Sequence, residues 1–113
     1  MELRVLKIDS NLTHLALVGR LDLPGVQSIE ATFVELTEGR GKPTLVDLSE
    51  LTFLGSSGIR VFLKAAKGLN KLGSKIVLLN PQPQVKDTLM YVEFGRLIPI
   101  EHDSERALEI LKS

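Results

Sequence analysis

The chain has 113 residues, 43% of them hydrophobic, and no cysteine. That is the length of one domain with enough apolar material for a core, and it excludes thiol catalysis, thiolate metal sites and a disulfide scaffold. Lys and Arg number 14, as do Asp and Glu, a balance unlike that of a nucleic-acid binder.

Leu3 and Val5 flank Arg4 in a first strand, and Thr13 to Val18 form a second β-rich run. The polar turn Ser10-Asn11 between them predicts a hairpin. Pro24 stands at a first helical position, with Asp22 placed to cap it. Val26, Ile29, Phe33 and Leu36 recur at helical spacing, and the segment from Gly39 to Pro43 ends that helix. Leu45 to Leu48 is a buried-type strand, and Thr52-Phe53-Leu54 leads into Gly55-Ser56-Ser57-Gly58. From Ile59 to Leu72 the pattern is helical, with Ile59, Phe62, Leu63, Ala66 and Leu69 on one side and Gly73 as the stop. Phe53 and Phe62 read as core.

Lys75 to Asn80 is the next strand. Pro81-Gln82-Pro83 opens a helix through Val85, Leu89, Met90 and Val92. Leu97 to Ile100 is a short last strand that Pro99 marks as an edge. Asp103 or Ser104 caps a final helix with Ala107, Leu108 and Leu111 inside. The expected order is ββαβαβαβα in a single domain over residues 1–113. Strands alternating with helices predict an α/β fold with a mixed, mostly parallel sheet of about five strands. No apolar run approaches the roughly 18 residues of a membrane span. The charged start Met1-Glu2-Leu3-Arg4 is no signal peptide, so the expected compartment is the cytoplasm.

The GSSG tetrapeptide is the most unusual local feature. It joins a strand to a helix, and α/β folds place their sites at such crossings. Taken alone, it reads as an N-cap serine flanked by loop glycines. An exposed serine there could also accept a phosphate, since the helix amides favour negative charge. Catalytic templates fail. GSSG is one residue short of the G-x-S-x-G elbow, and neither His14 nor His102 has a sequence reason to reach Ser56. Gly41-Lys42 is followed by Pro43, which excludes a P-loop. No carboxylate cluster has metal spacing, and Asp22, Asp47 and Glu50 read as solvated caps.

From Leu51 to Lys86 there are six basic residues and no acidic one. Arg60, Lys64, Lys67 and Lys71 fall on one narrow helical stripe. That stripe is either an ordinary solvated face or an electrostatic docking surface beside GSSG.

The run from Val46 to Ile59, VDLSELTFLGSSGI, resembles the signature of STAS domains, in particular the bacterial anti-sigma factor antagonists. Val18-Gly19-Arg20-Leu21-Asp22 is similar to the family's G-x-[LIV]-D, and the element order fits from end to end. The resemblance implies a binding switch, not an enzyme. Its partner would be an anti-sigma factor that is a serine kinase of the histidine-kinase-like ATPase fold, and binding would release a sigma factor. The kinase would phosphorylate Ser56 and a serine phosphatase would reverse it. Ser57, Gly58 and the start of the following helix would line the partner surface, with Asp22 on the same face; Gly55 and Arg60 beside the serine, and Lys64 and Lys67 of the basic stripe, are the further candidate partner-binding residues. Gly55 replaces the family's acidic residue before the acceptor serine, and Arg60 stands where smaller residues are common. A non-phosphorylated STAS adaptor in a signalling or lipid-transport assembly is the alternative. A small-ligand or nucleotide domain using the helix start is a third reading. No cofactor, metal, direct nucleic-acid contact or membrane insertion is expected, and the chain is expected to be a monomer or weak dimer.

Overall fold

The computed structural model describes residues 1–91 and 98–113. Strand β1 (Glu2–Ile8) pairs antiparallel with β2 (Thr13–Leu21), the predicted hairpin. Its turn is closed by Asp9 N–H donating to Leu12 O, and Asn11 N–H donates to the Asp9 carboxylate. Helix α1 (Leu23–Leu36) follows directly, with Asp22 as its N-cap and Pro24 in its first turn. Strand β3 (Thr44–Asp47) and strand β4 (Leu51–Leu54) come next. Then follow α2 (Ser56–Lys71), β5 (Ile76–Leu79) and α3 (Pro83–Tyr91). Strand β6 (Ile100–Glu101) and α4 (Ser104–Lys112) close the fold, with Asp103 capping α4 as expected. The expected contributions of Val92 and Leu97 lie outside the described residues.

The sheet runs β1-β2-β3-β5-β6. Every pair except β1–β2 is parallel, so the sheet is mixed and mostly parallel. Among the described residues the structure adds one strand to the expected order, giving ββαββαβαβα. Long β2 serves two partners along one edge: Thr13–Ala16 pair with β3, and Gly19–Leu21 pair with β4. Sequence pattern does not reveal β4, because only its end residues Leu51 and Leu54 are buried while Thr52 and Phe53 are exposed. That is neither alternation nor a continuous apolar run.

Strands β3 and β5 alternate between two cores. Val46, Ile76 and Leu78 meet α1, α2 and α3, whereas Leu45, Val77 and Leu79 meet Ala107 and Leu111 of α4. Phe33 of α1 and Phe62 of α2 are both fully buried, with ring centroids 6.1 Å apart and tilted by 57°. Such a pair contributes roughly 0.5–1.5 kcal/mol beyond its buried area. The apolar side of α2 centres on Gly58, Val61, Phe62, Ala65 and Leu69. Ile59, Leu63 and Ala66, expected at its centre, are partly buried along its margin. The cores thus fix α1 and α2 on one face of the sheet, with their first turns at the same end.

Candidate functional site

Strands β2 and β4 stop side by side. Leu21 pairs with Leu54, and Gly55 N–H donates to Leu21 O at 3.0 Å. The next residues of the two chains, Asp22 and Gly55, are the N-caps of α1 and α2. The two helix starts therefore emerge together at the C-terminal ends of parallel strands, the usual place for α/β sites.

The cap of α2 differs from expectation. Gly55, not a serine, is the N-cap, and no side chain caps the helix. Ser56 is the first helical residue, Ser57 the second and Gly58 the third. Gly58 is buried, and packing there selects this arrangement. A Cβ at Gly58 would lie 2.7 Å from Leu54 Cδ1 and 2.8 Å from Leu21 Cγ. The missing side chain lets the first turn rest on both strand ends. Ser56 then faces outward and is exposed, Ser57 is half-buried, and neither hydroxyl makes a hydrogen bond to the described residues.

Asp22 is set firmly. Its Oδ1 accepts from Gly25 N–H at 2.9 Å, and its Oδ2 lies 3.4 Å from Arg20 Nε. The Gly25 hydrogen bond, reinforced by Arg20, holds this carboxyl below its usual range. Arg20 in turn stacks on the Phe53 ring, 4.3 Å from its centroid. The same ring covers Gly55, where a Cβ would come within 3.3 Å of it. Phe53 is 38% exposed, which corrects the reading of it as core. Leu51 and Leu54 take the inward positions of β4 and turn Phe53 out beside Arg20. Leu23, at the start of α1, is also exposed. Sequence reasoning gave no site role to Arg20, Phe53 or Leu23; the available signal was an arginine and a bulky aromatic just before the two helix starts.

The structure brings Asp22, Gly55, Ser56, Ser57 and Gly58 to one end of the sheet. Arg60 is exposed one turn below Ser56 on the same side of α2. Lys64 and Lys67 are exposed further along the helix, Lys67 about 16 Å from Ser56 at 1.5 Å per residue. They share the stripe but not the helix-start cluster. The two histidines lie elsewhere. His14 sits near the start of β2, and His102 Nδ1 lies 3.4 Å from Asn80 Oδ1. The three carboxylates are separately engaged: Asp47 accepts from Ser49 N–H, Glu50 pairs with Arg4, and Asp22 caps α1. No group of side chains suited to a metal ion occurs among the described residues, and no described helix is long and apolar enough to cross a membrane.

The chain is similar to BtrV of Bordetella bronchiseptica, assigned as an anti-sigma factor antagonist, with 26% identity over all of this chain and 97% of BtrV. Its fold matches an anti-sigma factor antagonist from Mycobacterium paratuberculosis at a TM-score of 0.84, with 17% identity over 99% of this chain and 96% of that one. It also matches the Bacillus cell fate determinant SpoIIAA in its phosphorylated form, at a TM-score of 0.69 and 21% identity over 96% and 97% of the two chains. The family model for the STAS domain matches residues 4–107. A mixed sheet whose paired strand ends launch two helices, one from Asp22 and one into Gly-Ser-Ser-Gly, is thus the frame of a chain that belongs to the STAS domain family.

Proposed function

We propose that this protein is an anti-sigma factor antagonist, a binding switch set by phosphorylation of Ser56. One observation carries the reading: the family's acceptor position is occupied by an exposed serine whose hydroxyl makes no hydrogen bond to the described residues, near the fixed carboxylate of Asp22. Unmodified, the face of Asp22, Gly55, Ser57, Gly58 and Arg60 receives the anti-sigma factor, a serine kinase of the histidine-kinase-like ATPase fold, and the sigma factor goes free. Lys64 and Lys67 extend that face along α2. Phosphate on Ser56 adds roughly −1.5 to −2 charges in the middle of it. Desolvating that charge in the interface ejects the partner, while the first turn of α2 tolerates it, so the fold persists. A serine phosphatase resets the switch. The setting is the cytoplasm, and the chain acts as a monomer or weak dimer.

The role asks for recognition rather than catalysis, and among the described residues neither histidine adjoins Ser56. Ser56→Asp should weaken capture of the anti-sigma factor strongly while leaving thermal stability nearly unchanged. Ser56→Ala should bind and resist phosphorylation. Equal capture by wild type and Ser56→Asp would refute the switch. Gly55 supports one other reading, a STAS adaptor that is never phosphorylated, because no carboxylate precedes the serine. Stable co-purification with a transporter ATPase, with Ser56 unmodified in every growth condition, would select that reading.

A further inference from the structure

Past its first turn, α2 presents two surfaces side by side. One is the stripe of Arg60, Lys64, Lys67 and Lys71, all exposed, on a helix without an acidic residue. None of the four meets a carboxylate among the described residues. The other is a groove of about 540 Å³ between Leu63, Ala66 and Asn70 of α2 and Ile76 and Pro99 of the sheet side. At about 100° per residue, Leu63, Ala66 and Asn70 fall on one flank of the stripe. Lys67 lines the groove and belongs to the stripe as well. Lys75 also lines the groove, but its ammonium is turned to the end of α4, where it donates to Ile110 O and Ser113 O, so the four stripe cations remain the ones here without an oxygen partner among the described residues.

We infer that this surface docks an acidic amphipathic helix of a partner protein, with apolar side chains in the groove and carboxylates along the lysine stripe. Charge complementarity selects this occupant. An apolar helix would cover four cations without pairing them, which is unfavourable. A polyacidic segment would leave the groove empty. Nucleic acid is a poor match, because among the described residues no aromatic side chain on which bases stack lines the groove. From Arg60 to Lys71 the stripe runs about 16 Å, three turns of helix, and the groove follows its middle and lower part. A partner helix of three to four turns lying along α2 presents anchors at i, i+4 and i+7 and acids on the adjoining stripe. The exposed lysines remain hydrated, so they contribute encounter rate and register more than affinity. The inference rests on the proposed function only in sharing Lys64 and Lys67; it does not require phosphate on Ser56.

The probe is a labelled helical peptide of about four turns, with leucines at i, i+4 and i+7 and glutamates on the adjoining stripe. A scrambled peptide of the same composition is the control. Fluorescence anisotropy against the full chain at low salt should give binding at least about tenfold tighter than the scramble. Lys64→Gln with Lys67→Gln should weaken it about tenfold, and salt should do likewise. Ala66→Glu should abolish it, with Leu63→Gln as a second groove variant if Ala66→Glu perturbs folding. Ser56→Asp should leave it within about twofold. Equal binding of peptide and scramble, or no binding at low salt, overturns the assignment. Loss of binding in Ser56→Asp with the groove variants inert also overturns it, and would place the acidic helix at the Ser56 end.

Discussion

Replacing Gly58 by alanine tests the packing that positions Ser56. Alanine in a helix is ordinarily favoured over glycine by about 0.8–1.0 kcal/mol. Here its Cβ would enter space held by Leu54 Cδ1, Leu21 Cδ2 and Leu21 Cγ at 2.7–2.8 Å. Leu21 is fully buried, and the conflict includes its branching carbon, so side-chain rotation alone does not clear it. Overpacking of this kind costs about 1–3 kcal/mol. The upper part of that range applies, which leaves a net loss of about 1–2 kcal/mol after the helix gain. Gly68→Ala is the internal control. The atoms nearest its Cβ all belong to the Glu38 side chain from Cγ outward, whose Oε1 is buried without a hydrogen-bond partner among the described residues. Glu38 can swing into water and satisfy that oxygen, so the helix gain remains and stability rises by up to about 1 kcal/mol. Urea unfolding of the two variants at one pH supplies the test, with the slope expected unchanged and the midpoints shifted in opposite directions. A Gly58→Ala midpoint at or above that of wild type would refute the view that a missing side chain seats α2 on the strand ends.

Further outcomes follow from other parts of the structure. Burial pushes the His14 imidazole down, aided by Lys7 and opposed by Asp47, and its Nε2 has no hydrogen-bond partner among the described residues. The unfolded chain therefore binds the proton more readily, so stability should fall as pH drops below about 6.5. His14→Gln should flatten that slope in urea midpoints between pH 5 and 7.5, and an unchanged slope would exclude His14 as its source. Gly55→Asp should be tolerated, since Gly55 has φ −98° and the nearest obstacle is the Phe53 ring at 3.3 Å. It should raise the rate at which the cognate kinase phosphorylates Ser56, measured by intact mass; no increase would mean that Gly55 is not what limits the reaction. Lys64→Gln with Lys67→Gln should slow association with the anti-sigma factor at low salt, and a rate equal to wild type in stopped flow would take the stripe out of the anti-sigma factor interface.

The parts of this fold that local chemistry decides are those the sequence expresses. Asp22 before Leu-Pro specifies a helix start, and the structure places its carboxylate on the Gly25 amide. The hairpin follows from two β-rich runs around Ser10-Asn11, and the face shared by Asp22 and Ser56 follows from the family signature. What sequence left hidden depends on neighbours distant in the chain. Strand β4 exists because the last residues of β2 need a partner, and its four residues have no period of their own. Gly55 and Ser56 both qualify as a cap. The choice fell to Gly55 because its N–H reaches Leu21 O and Gly58 fits against Leu21 and Leu54. Phe53 looks like core by type and is turned out by the inward claims of Leu51 and Leu54. The groove beside Lys67 forms where α2, the start of β5 and Pro99 fail to close on one another, and periodicity carries no trace of such a gap.

The most direct test of the switch is the affinity of the anti-sigma factor for the chain with and without phosphoserine at position 56. Both forms can be made by direct incorporation and compared by calorimetry, with unfolding midpoints recorded alongside. The unmodified chain should bind about a hundredfold tighter or more, with similar midpoints for the two forms. Equal affinity, or weaker binding that merely follows loss of folding, would contradict the switch.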